Sequence, residues 1–244
     1  MLFYILLGAL QGVFEWIPVS SEGIVALASQ AAAGSVNPVD IAIFLHLGTL
    51  FAVLVYFRKD WADVLMLRNR KLARFLLVAT AVSLTVGLPF YYVFRSVAVG
   101  SSLLLVTGFG LLLTSYFHKA NNSWGIGTGR VAVVSGLLQG LSVIPGLSRS
   151  GSTIFGLSLG RLKPSEILKY SFMMSVPVIL ASGLYVLAAN PVLVDGWPSL
   201  LSSFFVGLFS LHVLMRFSQR INFFRFTLVF AVLCFIGAVI SFIV

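Results

Sequence analysis

The chain reads as long apolar runs joined by short polar or basic connections, without sustained alternation of apolar and polar positions. Runs near 39–57, 75–94, 97–117, 170–189, 199–215 and 226–244 approach or reach the ~20 residues that a helix needs to cross the hydrocarbon core. Lipid offers the backbone no hydrogen-bond partners, so a spanning chain is a helical bundle or a closed barrel. Continuous runs predict the bundle. Two further apolar stretches are interrupted: 1–34 by Pro18-Val19-Ser20-Ser21-Glu22-Gly23, and 131–160 by Pro145-Gly146-Leu147-Ser148-Arg149-Ser150-Gly151. At about 1.5 Å per residue, neither half of either stretch crosses alone. They are expected to form re-entrant helical hairpins, each broken at membrane depth and shielded by protein. The expected fold is an all-α polytopic membrane protein, one integral domain over 1–244, with six transmembrane helices and two hairpins.

Composition agrees. Hydrophobic residues make up 59% of the chain and charged residues only 9%, whereas a soluble domain carries roughly 25% charged residues. The net charge of +9 reports orientation in such a chain rather than a nucleic-acid partner. Arg58, Lys59, Arg68, Arg70, Lys71 and Arg74 follow the first full span. Lys119 and Arg130, then Arg161, Lys163 and Lys169, then Arg216, Arg220 and Arg225 fill three further connections. If all four connections are cytoplasmic, they hold 14 of the 16 Lys and Arg residues, leaving Arg95 outside and Arg149 within the second break. The alternation closes only if 131–160 returns to the side it entered. Stretch 1–34 then enters from outside and 131–160 from inside, at the plasma membrane. Residues 58–74 mix Trp61, Val64, Leu65 and Leu67 with charges and are expected to lie along the cytoplasmic interface. The N-terminal stretch lacks the basic region and cleavage site of a signal peptide, and the lone Cys234 excludes a disulfide framework.

The two halves echo each other. Gln11-Gly12 leads to Ile17-Pro18 and Ser20-Ser21; Gln139-Gly140 leads to Ile144-Pro145 and Ser148-Arg149-Ser150. Similar motifs entering from opposite faces predict inverted repeats, about 1–117 and 131–244, with a site at their midplane interface.

Five of the seven acidic residues (Asp40, Asp60, Asp63, Glu166 and Asp195) fall at segment ends or loops and read as solvated. Only Glu15 and Glu22 lie within the membrane region, where a charge costs at least about 2.5–3.5 kcal/mol and therefore faces a cavity or a partner. Arg149 is the one base expected there. A Glu15–Arg149 ion pair could be a strut between the hairpins, but the neighbouring residue types point further. Ser20, Ser21, Ser148, Ser150, Ser152 and Thr153 supply hydroxyls, Gly146 and Gly151 permit close backbone approach, and each break exposes helix-end N–H groups suited to an anion. An Arg fork matches phosphate oxygens. Carboxylates beside it need a proton, a water to activate or a divalent metal. The residues alone indicate an intramembrane phosphate site.

Gln11-Gly12-Val13-Phe14-Glu15-Trp16-Ile17-Pro18-Val19-Ser20-Ser21 and Pro145-Gly146-Leu147-Ser148-Arg149-Ser150-Gly151 resemble the two signature motifs of the BacA-type undecaprenyl-diphosphatase family. Leu45 to Leu50, Tyr56-Phe57-Arg58, Tyr170-Ser171-Phe172 and Val176-Pro177 fit its pattern too, so the resemblance covers nearly the whole chain. It implies a phosphatase of C55 isoprenoid diphosphate that recycles a carrier lipid of envelope glycan synthesis. It also implies a divalent cation (Mg²⁺ or Ca²⁺), a site opening outward, and homodimers. By resemblance Glu15 is the second acid of the first motif, Ser21 its functional serine and candidate nucleophile, and Arg149 the phosphate-binding arginine. Ser148, Ser150 and Thr153 fall on hydroxyl positions of the second motif; Ser20 and Gly146 complete the phosphate set, and Gln11 and Gln139 support it.

Two positions depart from the family. Its first acid is Gln11 here, and its histidine three places after the serine is Ile24. Glu22 is the candidate substitute, as a base or, with Glu15, as a metal ligand. His46, His118 and His212 read as structural residues. The rival to hydrolysis is a polyprenyl-phosphate flippase built on the same fold.

Overall fold

A computed structural model of the chain describes residues 2–18, 21–29, 36–94, 127–144, 147–160, 162–218 and 222–243, with isolated positions between 105 and 116. Among the described residues the elements are helices and no strand occurs. Four segments are long and apolar enough to cross a membrane. They comprise α3 (Pro38–Tyr56), α5 (Arg70–Phe94, its apolar window ending at Val93), α8 (Pro164–Ala189), and the 3₁₀ turn Pro191–Gly196 continued by α9 (Trp197–Phe217). The last helix, α10, runs Phe223–Ile243. The chain is thus a multi-pass membrane protein. The predicted span 97–117 lies almost wholly outside the described residues.

Local chemistry sets the helix starts. Asn37 accepts a hydrogen bond from the Val39 N–H at 2.9 Å, with Pro38 at the first helical position of α3. Asn69 Oδ1 accepts from the Leu72 N–H at 3.1 Å, and the Lys163 N–H donates to Glu166 Oε2 at 2.9 Å. These caps let α5 and α8 begin at Arg70 and Pro164, ahead of their apolar runs at 75 and 170. Between α3 and α5 lies α4 (Arg58–Leu65), which has no buried residue and is tied to α8 by an Asp60–Lys169 ion pair.

Both interrupted stretches are broken helix pairs: α1 (Leu2–Phe14) with α2 (Ser21–Ser29), and α6 (Thr128–Leu141) with α7 (Arg149–Ser158). At 1.5 Å per residue even α6 is only about 21 Å long, short of a hydrocarbon core about 30 Å thick.

Two close helix pairs flank a central α3–α8 contact. On one flank α1 lies against α9. A Cβ added at Gly8 would fall 2.1 Å from the Ser199 carbonyl oxygen, and one at Gly12 would fall 2.6 Å from the Gly207 nitrogen. On the other, α6 lies against α5, where a Cβ at Gly136 or Gly140 would approach the Ala79 or Ser83 carbonyl oxygen to 2.7 or 2.9 Å. Small residues spaced by four let backbones meet where lipid supplies no hydrophobic drive between helices. Serine hydroxyls add bonds across each seam: Ser210 Oγ to the Gly12 carbonyl (2.6 Å) and Ser83 Oγ to the Gly136 carbonyl (3.0 Å).

One acid departs from expectation. Asp40 is not solvated but buried, and its Oδ2 accepts from Asn190 Nδ2 at 2.9 Å. The first turn of α3 meets the C-cap of α8 there, a junction that sequence spacing does not reveal.

Candidate functional site at the two helix breaks

Helix α1 stops at Phe14, so Glu15 stands at the start of the first break, 2% exposed. One turn earlier, Gln11 donates from Nε2 to Glu15 Oε2 at 2.7 Å. Ser21, which begins α2, donates from Oγ to the same oxygen at 3.0 Å. Arg149 begins α7 and reaches across from the other hairpin, pairing its Nη2 with Glu15 Oε1. Ser150 Oγ also crosses, donating to the Ile17 carbonyl at 3.1 Å. The two breaks meet, as the sequence predicted, and the Glu15–Arg149 pair joins them.

A pocket opens at this junction. Glu15, Ser21, Glu22 and His46 line one side; Ser142, Leu147, Ser148, Arg149 and Ser150 line the other. Helices α2 and α7 both begin beside it, their first residues Ser21 and Arg149 lining the pocket, so the positive ends of their dipoles lie next to the space. Ser148 N-caps α7, accepting from the Gly151 N–H at 3.1 Å. Arg149 Nη1 is buried yet has no hydrogen-bond partner among the described residues. Leaving a charged donor unsatisfied is costly, so this nitrogen is suited to an incoming anion.

His46 corrects the sequence reading. Taken there as a structural residue of a span, it lies in the pocket wall with Nε2 3.1 Å from Glu15 Oε2 and Nδ1 2.6 Å from the Ala42 carbonyl oxygen. The signal was present: an ionisable side chain inside an apolar span usually faces a cavity or partner. The packing of α2 and α1 on α3 brings it to the site. His212 instead packs edge-on against Tyr56, ring centroids 6.0 Å apart, and does not line the pocket. Ser142 and Leu147 were missed because only the shape of the break turns them inward.

Two expected residues lie behind the pocket. Thr153 is fully buried, its Oγ1 bonding the Arg149 carbonyl (2.9 Å), the Ser150 carbonyl (3.1 Å) and Ser171 Oγ (2.6 Å). One helical turn after Arg149, the hydroxyl folds back on the preceding carbonyls, so Thr153 holds α7 to α8 and does not line the phosphate space. Gln139 donates to Ser83 Oγ (2.9 Å) and the Met174 carbonyl (3.1 Å), joining α6 to α5 and α8. Trp16, also fully buried, anchors the first break by donating from Nε1 to the Gly207 carbonyl and Ser210 Oγ, each at 3.0 Å. The expected phosphate contacts Ser20 and Gly146 lie outside the described residues.

Glu15 and Glu22 provide carboxylate oxygens in one pocket, a donor set of the type that hard divalent cations take. Among the described residues, no three His, Cys, Asp or Glu side chains are grouped closely enough to hold an ion by themselves. Any cation would therefore need further ligands from substrate or water.

The sequence from residue 4 to 240 matches the family model described as bacitracin resistance protein BacA. A protein of Methanothrix thermoacetophila named undecaprenyl-diphosphatase is 40% identical over 233 residues, covering 90% of each chain. Proteins of the same name from Haloarcula marismortui and Syntrophotalea carbinolica are each 34% identical. They cover 98% of both chains in the first case, and 95% of this chain and 94% of the relative in the second.

Proposed function

The chain belongs to the BacA family, and on that premise we propose that it is an integral membrane phosphatase of undecaprenyl diphosphate. It would release inorganic phosphate and return the lipid monophosphate for another round of envelope glycan synthesis. The observation that carries this reading is the half-paired Arg149: Nη2 is held by Glu15, while Nη1 is buried, without a hydrogen-bond partner among the described residues, on a side chain that lines the polar pocket.

In this reading Arg149 binds oxygens of the diphosphate, assisted by the leading N–H groups of α7 and α2 and by the Ser148 hydroxyl. Ser21 Oγ, directed by its hydrogen bond to Glu15 Oε2, attacks the terminal phosphorus. An O–P bond forms, the bond from that phosphorus to the bridging oxygen breaks, and the electron pair leaves with the lipid monophosphate. The hydroxyl proton passes to the carboxylate side of the pocket, and water then releases the phosphate from Ser21. A divalent cation, Mg²⁺ or Ca²⁺, fits the oxygen donors Glu15 and Glu22 and when bound would offset phosphate charge.

The same proposal includes inverted repeats and sidedness. Support for the repeats is the matched packing of α1 on α9 and α6 on α5, each hairpin lying against a long helix from the other half. Support for cytoplasmic basic connections is the charge distribution, with the site opening outward.

Phosphate release from purified protein given undecaprenyl diphosphate and Mg²⁺ or Ca²⁺ tests the function. Wild type should turn over, Glu15→Ala should fall to background, and Arg149→Ala should lose about 10²–10³-fold. Wild-type turnover in both variants would defeat the reading.

A further inference from the structure

His46 is the unassigned group in the pocket. Its Nδ1 lies 2.6 Å from the Ala42 carbonyl oxygen, an acceptor only, so Nδ1 carries a hydrogen. In the neutral ring the lone pair is then on Nε2, which lies 3.1 Å from Glu15 Oε2. A backbone carbonyl on one ring nitrogen, freeing the other, is the arrangement that orients metal-bound histidines.

The spacing supports a shared ion. Two adjacent ligands at about 2.1 Å from a cation, and at right angles, are about 3.0 Å apart. Charge favours it as well: Glu15 and an incoming diphosphate are anionic, and among the described residues Arg149 is the one Arg or Lys side chain lining the pocket. We propose that His46 Nε2 and Glu15 Oε2 are adjacent ligands of the divalent cation, His46 taking from α3 the place that Ile24 leaves without a histidine on α2. This rests on the phosphatase reading and sharpens its cofactor. Because among the described residues no three His, Cys, Asp or Glu side chains are grouped closely enough to hold an ion by themselves, diphosphate oxygens and water complete the coordination shell, as is usual for ions bound with phosphates. A nitrogen ligand disfavours Ca²⁺, which takes oxygen ligands; Mn²⁺ serves as the spectroscopic probe of the site.

The test is electron spin-echo spectroscopy of Mn²⁺ on the full chain in detergent, with a non-hydrolysable polyprenyl methylene-diphosphonate. Wild type should show nitrogen coupling from a directly bound imidazole, and ¹⁵N-histidine labelling should change it from the ¹⁴N to the ¹⁵N pattern. His46→Gln should abolish the coupling and weaken Mn²⁺ binding about 10–100-fold, while His212→Gln should change neither. Mn²⁺ bound to wild type without histidine coupling, or coupling that persists in His46→Gln, overturns the proposal. The labelled wild type decides the matter even if His46→Gln does not fold. Phosphate release by wild type without histidine coupling removes His46 from the cation site and leaves the phosphatase reading standing. Absence of release with every divalent cation defeats that reading instead.

Discussion

Gln11 and Gln139 occupy matching Gln-Gly positions near the ends of α1 and α6, and both are fully buried. Their amides do different work. Four residues beyond Gln11 stands Glu15, and the Gln11 amide donates to that carboxylate. Four residues beyond Gln139 stands Val143, and the Gln139 amide turns to Ser83 and the Met174 carbonyl. At these matched positions the first hairpin turns its amide to the pocket carboxylate and the second turns it to the scaffold, while the second brings Ser142, Ser148, Arg149 and Ser150 to the pocket. Opposite charges brought by separate hairpins can be paired only when both halves are assembled. A similar backbone plan thus serves complementary chemistry.

The largest test of that division is removal of the charge from the second hairpin. Arg149→Ala should lower phosphate release about 10²–10³-fold, the usual effect of losing a donor to developing anionic charge. Arg149→Lys should recover only part of it, since a point charge lacks the two-pronged geometry of the guanidinium. Full recovery would show that charge alone matters. Thermal unfolding in detergent compares the two glycine seams. Gly12→Ala and Gly140→Ala should each destabilise by about 1–3 kcal/mol through overpacking, while Gly127→Ala, with nothing within 4 Å, should be neutral. An effect on one seam only would mean that the two halves are not equivalently packed.

The glutamines themselves come next. Gln139→Glu turns a donor into an acceptor facing the Met174 carbonyl and should cost about 1–3 kcal/mol of stability. Gln11→Glu should keep the fold and steepen the dependence of phosphate release on divalent cation, because it adds a carboxylate beside Glu15. A cation titration that is unchanged in Gln11→Glu would place that residue on the scaffold as well. The smallest effect belongs to Trp16→Phe, which keeps the ring but loses the indole donor to Gly207 and Ser210. About 1 kcal/mol of stability should go, measured by the same unfolding assay.

Legibility differed by residue. Glu15, Glu22 and Arg149 stood out because charge within apolar sequence demands a cavity or a partner, and the pairing of Glu15 with Arg149 followed from their scarcity. Thr153 was read by its place in a motif, but helix geometry turned its hydroxyl onto the Arg149 carbonyl. His46 reads as a span residue because nothing in its local sequence ties α3 to the break, where Ile24 stands three residues beyond Ser21; only packing brings it to Glu15. Asp40 was assigned to solvent from its position at a helix start, although Asn190 accounts for its burial.

The sequence by itself determined the all-α membrane class, the places where two apolar stretches break, and the residues able to carry charge within them. Those properties depend on hydropathy, proline and glycine, and the energetic penalty on isolated charge, all of which are local. Tertiary structure alone decided which side chains share the pocket. His46 joins it from α3, Ser142 and Leu147 from the shape of the second break, while Thr153 and Gln139 turn away. Helix rotation and the close approach at glycine seams set those directions, and they depend on residues nearly two hundred positions apart, as in the contact of Gly12 with Gly207.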